Sequence, residues 1–531
     1  MTWKQNGDSF FGLKSAAYLA ALFVCLCSIA RAQDSAIQLS SPNSDFAVSG
    51  QFLGYDGQFI RVDTTAGEVT LAYDGLICDG ASCPDATFVP TVRFSGAQRM
   101  GQIILPPLIT AYARDIGASV TVEPGIDGVV AFHIRSDTGG NLMQIIVRST
   151  TSADGFADLV ANEADIVMSA REVTAAELAL ARESGLGRLD RQGRSRIVAL
   201  DALVAVVSPE AGMTQISLES LSRISAGEVT NWAEVGRPEG AISLHLLPDW
   251  MGQMQGFQTR ILGPAERTVS ADAQRYATPE GLAAALMNDP RGIGVLPFGA
   301  LGDTQPLRLI GECGIGVAAG RMTLKTEDYP LTMPLFLYLP ERRLHPELDA
   351  LLGWLRRPAA QLVIRRAGFV DQTAIPIPIG QQGDRFAQAI SAAGAEVPLV
   401  ELQRMVRVLG PQVRLSTTFR FEAGSTRLDA QSRSNVLQLA RDIYDGRHDG
   451  RVLMLVGFSD GRGPAIANRD LSSARADVVR RAVVAALGEG LPPSVTLETE
   501  AFGEALPMAC DDTIWGQQIN RRVELWVADR G

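Results

Sequence analysis

The chain has 531 residues, of which 46% are hydrophobic and 20% charged, with a formal net charge of −11 at pH 7. These are globular values, so disorder is excluded, and the length calls for about two to four domains rather than one core. The acidic balance offers no electrostatic footprint for nucleic acid or for an anionic lipid surface.

Residues 1–32 read as a cleaved secretory leader. Lys4 and Lys14 flank a start that leads into the apolar run 16–29, and Ala30-Arg31-Ala32 has the small-x-small pattern of a cleavage site. The run is too short for a permanent anchor, and Val24 and Leu26 before Cys25 and Cys27 do not suit a lipoprotein site. No later stretch reaches the length of a membrane helix, so no integral span is expected after leader removal. Cys78, Cys83, Cys313 and Cys510 then remain for an oxidising compartment. Cys78 and Cys83 are expected to pair locally, with no further ligands nearby for zinc. Cys313 and Cys510 either pair across domains or stay free, and spacing alone leaves both open.

Residues 44–90 alternate apolar and polar positions between turn signals such as Tyr55-Asp56-Gly57, which predicts a small antiparallel β module. From 91 to 373, strands alternate with helices: a strand at 91–94, an amphipathic stretch at 103–114, a helix-like 155–163 and a strand at 165–169. This predicts βα units around a mainly parallel sheet with ligand loops at the strand ends. Residues 374–405, with Ile375-Pro376-Ile377-Pro378, read as a linker followed by a helical piece. The last domain, 406–531, reads strand 413–421, helix 429–444, strand 452–458, helix 471–487, strand 494–501 and strand 522–528. The expected fold class is therefore multidomain α/β and α+β.

In helix 471–487, Leu471, Ala474, Val478, Ala482 and Ala486 recur at helical spacing and are expected to form the buried face. Asn468, Leu471 and Arg475 follow at steps of three and four. Asp460 ends the preceding strand, so a carboxylate and a guanidinium can converge above the sheet edge. Such a pair suits a zwitterion, Arg475 holding a carboxylate and Asp460 an ammonium. The bland alternative is a structural salt bridge.

These residues carry a resemblance. Gly457-Phe458-Ser459-Asp460, Asn468, Leu471-Ser472, Arg475 and Asn520-Arg521-Arg522-Val523-Glu524, with Phe421, Gly424-Ser425 and Gly503, are similar to the OmpA-like peptidoglycan-binding family over about residues 412–528. The resemblance implies an OmpA-like β/α sandwich that binds peptidoglycan through diaminopimelate of the stem peptide, with Asp460, Arg475, Asn468, Leu471, Arg521 and Arg522 at the site.

Residues 91–371 resemble the PstS-like solute-binding proteins in Glu163–Arg171, Leu221–Trp232, Gly292-Ile293-Gly294, Leu335–Leu339 and Gly368-Phe369-Val370. This implies a two-lobed periplasmic binding fold for phosphate or another small anion. The donor segments expected for an oxyanion fall at Ala97, Gln98 and Arg99, at Thr151 and Ser152, at Ser169 and Arg171, and near Gln253. Two of them depart from the family pattern: Gly96-Ala97-Gln98-Arg99 lacks hydroxyls, and Pro248-Asp249-Trp250-Met251-Gly252-Gln253 lacks the Ser-Gly-Thr run. Each lost donor costs about 1–3 kcal/mol of binding. The alternatives are a different ligand read by Arg99, Ser152, Ser169, Arg171, Gln253 and Trp250, or a degenerate cleft kept as a protein-interaction scaffold.

The resulting expectation is a non-catalytic protein without cofactor or metal, wall-associated in a Gram-negative periplasm near the outer membrane. Its expected partners are peptidoglycan, phosphate or another small anion, and an envelope protein. An enzyme has little sequence support, because His133, His245, His345 and His448 are scattered and Asp511-Asp512 reads as a solvated turn. An outer-membrane β-barrel with a wall-binding tail would need serial alternating strands, which residues 91–371 do not show.

Overall fold

The structure is a computed structural model that describes residues 36–84, 88–394, 396–422 and 425–530. The expected leader and Gly424 lie outside the described residues. Among those residues, no helix is long and apolar enough to cross a membrane.

Two units divide the chain, the first comprising the N-terminal residues through Thr91 together with Arg343–Ala350. Its five strands are Ala36–Ser40, Ala47–Tyr55, Phe59–Thr64, Gly67–Ala72 and Ile77–Asp79. All are antiparallel, and Ala36–Ser40 runs between Ala47–Tyr55 and Ile77–Asp79. The module thus begins earlier than the expected residue 44. The added strand is needed, because Ile37 and Leu39 share the small core with Ile60 and Val62. Cys78 and Cys83 are disulfide-bonded. Arg343 lies over the Phe59 ring, 4.2 Å from its centroid, and pairs with Asp56 at 3.0 Å.

In the second unit, residues 92–338 build an 11-stranded sheet in which Ser195–Val207 is the common member. Its first part pairs with Thr332–Tyr338 and its last residues, Leu203–Val207, pair with Gly292–Pro297. One strand therefore passes from one lobe into the other. The first lobe continues through Ile166–Ser169, Thr91–Ala97 and Asn141–Thr150, the second through Ser243–Leu246. Most described pairings are antiparallel; the parallel ones in this sheet include Ile166–Ser169 with Thr91–Ala97 and Ser243–Leu246 with Gly292–Pro297. The expected mainly parallel sheet is corrected on this point, because hairpins at 118–150 and the interlobe strands do not follow βα alternation.

The C-terminal sheet has the order Pro376–Ile377, Val413–Arg420, Arg522–Asp529, Arg451–Phe458, Val495–Ala501. One face packs on helices Ala430–Tyr444 and Ala465–Leu487 through Phe419, Leu453, Leu455, Val523 and Leu525. The other face is covered largely by the residues expected to form a linker and a helical piece: helices Gly383–Ala392 and Leu399–Leu409 bring Ala389, Leu402, Met405 and Leu409 against Val456, Phe458 and Trp526. Period-2 alternation on the last strand sends Val523 and Leu525 to the first face and Arg522, Glu524 and Trp526 to the second.

Helix Ala465–Leu487 starts before the expected residue 471, and its buried positions are Asn468, Ser472, Arg475, Ala476, Val479 and Val483. Leu471 and Ala474, expected on the buried face, are exposed. The helix can lie directly on its strand because residue 457 is Gly: a Cβ there would lie 2.1 Å from the Ser472 carbonyl oxygen.

Charge is buried where the second face meets the two-lobed part. Glu524, fully buried, pairs with Arg385, with Arg522 at 2.7 Å and with Arg414 at 3.4 Å, and accepts from Trp526 Nε1 at 3.0 Å. Asp328 pairs with Arg414 at 3.3 Å and Arg420 at 3.4 Å. Cys313 and Cys510 are disulfide-bonded across the same junction.

Burial works to raise the Glu524 pKa, but Arg385, Arg414 and Arg522 outweigh it and hold the carboxyl well below its usual range. The folded value lies below the unfolded one of about 4.3, so this stabilisation is complete above that pH and is lost as the pH falls toward the folded value. Glu524→Gln is expected to cost about 3–5 kcal/mol in urea unfolding at neutral pH, because three guanidiniums lose a charged partner and Arg385 and Arg522 are left without one. The variant's disadvantage should shrink on acidification below about pH 4. A neutral-pH loss under ~1 kcal/mol would show that the network is not stabilising.

Candidate functional site

Strand Arg451–Phe458 ends at Ser459-Asp460, and the Ser459 N–H donates to the Gly503 carbonyl at 2.8 Å. Gly503 has a left-handed φ of 54° and donates its own N–H to Ser472 Oγ at 3.2 Å. This pins the loop after the strand to the first turns of helix Ala465–Leu487. Asp460, 8% exposed, accepts from Arg521 Nη1 at 2.7 Å and from the Arg462 N–H at 3.2 Å. The direct partner of Asp460 is therefore Arg521 rather than Arg475.

Arg475 is only 5% exposed, lies over the Phe421 ring at 5.4 Å, and has no hydrogen-bond partner at Nε or Nη1. Burial and the neighbouring Arg521 push its pKa down while Asp460 opposes them. Asn468 donates to Glu504 Oε2 and to the Gly463 carbonyl. Leu471 is exposed on the same helix. Arg522 does not face this site: it is fully buried, stacks 4.4 Å from the Phe458 centroid, and donates to the Leu506 and Asn520 carbonyls. Arg521 precedes strand Arg522–Asp529, at the C-terminal end of helix Ile514–Asn520.

Sequence reasoning missed Asp511 and Glu504. Asp511 is no solvated turn: its carboxylate accepts from the Gly461 N–H at 2.7 Å and from Asn520 Nδ2 at 2.9 Å. Burial leads the upward shift of both Asp511 and Glu504, reinforced for each by Asp460. Asn520 also accepts from the N–H groups of Met508 and Ala509. Its place in Asn520-Arg521-Arg522 was the available signal that residues 508–511 are held.

In the interlobe cleft, several of the expected ligand residues are engaged by other groups of the protein. The Thr151 hydroxyl caps helix Ser152–Val160 in a capping box with Asp154. Ser152, fully buried, accepts from the Ala170 N–H at 3.1 Å. Ser169 donates to the Arg171 carbonyl at 2.7 Å. Arg171 grips Glu177 at 2.9 and 2.7 Å and reaches Gln255 of the other lobe at 3.1 Å. Arg99 lies 3.5 Å from Asp201, which is 1% exposed on the strand shared by both lobes, and 5.2 Å from the Phe369 centroid. Ala97 is buried and Gln98 part-buried, whereas Trp250 is 47% exposed.

Gln253 is buried beside Asp201. Burial pushes the Asp201 carboxyl up, with Arg99 first among the groups opposing it. Arg99 Nε, Asp201 Oδ2 and Gln253 Nε2 each lack a close partner. The lobes meet tightly beside them: a Cβ on Gly252 would lie 2.8 Å from Ser152 Oγ and 3.1 Å from Ala170 Cβ.

Among the described residues, no group of three or more His, Cys, Asp or Glu is arranged to hold a metal ion. Two lobes joined by a shared strand are thus followed by a sheet whose strand Arg451–Phe458 leads to Asp460 and which packs against the helix carrying Arg475. Residues 81–361 match the PBP superfamily domain, more than half of the chain, and the chain belongs to that superfamily. Residues 420–521 match the OmpA family, so the C-terminal module is an OmpA domain.

The phosphate-binding protein PstS of Borreliella burgdorferi is 29% identical over 24% of this chain and 41% of its own length. That of Bacillus subtilis is 30% identical over 25% and 43%. The chain thus spans about two fifths of the length of the curated relatives it matches. Among solved structures, an ABC-type phosphate transport receptor from Vibrio cholerae is 16% identical with a TM-score of 0.41, covering 52% of this chain and 99% of that chain. Both matched families are binding families, and with the two disulfides they point to the cell envelope.

Gly252→Ala is expected to destabilise the protein by about 1–3 kcal/mol, since the new methyl must part the lobes or displace Ser152. Thermal unfolding measures the loss, and hydrogen exchange should rise in residues 151–156. Unchanged values for both would mean that the lobes are not in contact there.

Proposed function

We propose that the OmpA domain binds peptidoglycan through the zwitterionic end of diaminopimelate and thereby holds a non-catalytic solute-binding fold against the wall of a Gram-negative periplasm, near the outer membrane. The observation that supports this reading is Arg475. A guanidinium that is 5% exposed with two N–H directions unanswered is costly to keep. A carboxylate arriving there would answer both, while Asp460, with Glu504 and Asp511 close by, would hold the ammonium at the other end of the ligand. Asn468 and Arg521 keep Glu504 and Asp460 in place, and Leu471 offers an exposed apolar contact beside them.

The expected outcome is that the mature chain sediments with purified peptidoglycan, and that Arg475→Ala and Asp460→Ala each abolish sedimentation. Losing one partner of a desolvated charge pair costs about 2–5 kcal/mol of binding. Undiminished sedimentation of both variants would reject the reading.

For the upstream domain, the ion pair of Arg99 with Asp201, the engagement of Ser152 by the Ala170 N–H and the close approach of Gly252 to Ser152 favour a closed scaffold that presents a surface to an envelope protein over a phosphate store. Millimolar phosphate or sulfate is then expected to leave the melting temperature unchanged, because a ligand stabilises only a native state that binds it. A saturable rise that disappears in Ser152→Ala would restore anion binding as the role of the cleft.

A further inference from the structure

Where the second lobe meets the OmpA domain lies a cavity of about 440 Å³, within the size range of small-molecule sites. The lobe contributes Leu218, Leu309 and Ile315 to its lining, and the OmpA domain contributes Met508, Trp515 and Ile519. Leu218, Leu309 and Trp515 belong to the core of that lobe, so core side chains here border open space. The lining shares no residue with the Arg475 site or with the contact between Ser152 and Gly252.

The two sides of the cavity are tied to each other. The disulfide between Cys313 and Cys510 crosses from one to the other, and the Asp512 carboxylate accepts the Glu312 N–H at 2.7 Å. The sides thus keep their spacing without an occupant.

Polar groups of the interior are already answered. Ser217 and Ser220 hydrogen-bond each other at 2.8 Å, Thr513 Oγ1 accepts the Gly516 N–H at 3.2 Å, and Trp515 Nε1 donates to the Arg260 carbonyl at 2.7 Å. None of the buried side-chain nitrogen or oxygen atoms in this lining lacks a partner. An occupant has no hydrogen bond to complete there, and what the interior favours is apolar surface.

An independent observation concerns the rim. Glu219 is held by Arg267 at 2.7 Å, and Arg223 lies 3.7 Å from Glu228. The remaining charges of the lining are Glu312 and Asp512, both exposed and without an arginine or lysine partner among the described residues. The rim is therefore negative and disfavours an anion.

We propose that this cavity binds a small aromatic or alkyl compound bearing no negative charge, its apolar body against Leu309, Ile315 and Trp515 and its polar or cationic end at Glu312 and Asp512. The site is separate from the wall-binding reading and does not rest on it.

The test titrates the full mature chain, disulfides intact, with phenethylamine, benzyl alcohol and phenylacetate, which share a ring and differ in charge. Calorimetry and thermal unfolding are expected to show saturable one-to-one binding of the first two, with a rise in melting temperature. Phenylacetate is expected to bind about fivefold more weakly than phenethylamine, the size of one exposed charge contact. Ala265→Phe and Ala509→Phe, one on each side of the cavity, place a ring in the ligand's space and should each weaken phenethylamine by about tenfold or more. Glu312→Gln, an exposed change, should bring the amine and the acid closer together. Asp460→Ala, in the proposed wall site, should alter none of these values. The proposal is overturned if neither phenethylamine nor benzyl alcohol binds saturably, if both filled variants bind like the native chain, if phenylacetate binds as tightly as phenethylamine, or if Asp460→Ala removes the response. Should both filled variants fail to fold, Glu312→Gln decides, an unchanged preference for the amine overturning the proposal.

Discussion

Everything in the C-terminal half depends on two buried carboxylates, Glu524 and Asp328, which together hold four buried arginines, Arg385, Arg414, Arg420 and Arg522. Guanidiniums out of water are tolerable only when paired and hydrogen-bonded, and each ion left unpaired costs several kcal/mol. Helix Gly383–Ala392 supplies Arg385, the sheet supplies Arg414, Arg420 and Arg522, and the solute-binding domain supplies Asp328. No one of these pieces can leave without stranding charge on the others. The network therefore works as a register device: it fixes which helix covers the second face of the sheet and which edge of the upstream domain the sheet meets.

That constraint bears on the cleft. Ala430 of the OmpA domain joins the core of the first lobe with Phe156, Leu159 and Val167. Trp515 enters the core of the second lobe with Phe257 and Ile261, and its Nε1 donates to the Arg260 carbonyl at 2.7 Å. A two-lobed binding fold opens by hinge motion at its interlobe strands, here Ser195–Val207 and Thr332–Tyr338. A third domain that packs into both lobes opposes that motion, because opening must expose apolar surface at one attachment or the other, at about 25 cal/mol per Å². The contact of Gly252 with Ser152 and the reach of Arg171 to Gln255 are what such bracing maintains.

Much of this was legible in the residues. The strand ending at Asp460, the helix bearing Arg475 and the final strand after Asn520 carry clear periodicity and a spaced motif, and the two-lobed fold is marked by segments such as Glu163–Arg171. The illegible parts have physical reasons. Residues 374–405 read as a linker and one helical piece, whereas two helices, Gly383–Ala392 and Leu399–Leu409, pack on the sheet, a role set by the sheet's second apolar face and not by their own pattern. The buried stripe of helix Ala465–Leu487 includes Asn468, Ser472 and Arg475, so a search for apolar residues at helical spacing selects Leu471 and Ala474 on the wrong side. The partner of Asp460 was missed because Arg521 reaches it from the start of the neighbouring strand, a distance in sequence that no helical or strand period encodes.

The tripeptide Cys510-Asp511-Asp512 shows how closely the two domains are tied. Cys510 is bonded to Cys313 of the second lobe, Asp512 accepts the Glu312 N–H at 2.7 Å, and Asp511 holds the Gly461 N–H beside Asp460. Asn520 clamps the same loop from the opposite side through Met508 and Ala509. The 311–315 turn is thus connected through one disulfide and the adjoining carboxylates to the backbone beside Asp460. The OmpA domain is thereby a mechanical part of the binding fold it follows, and not a tether on a free linker.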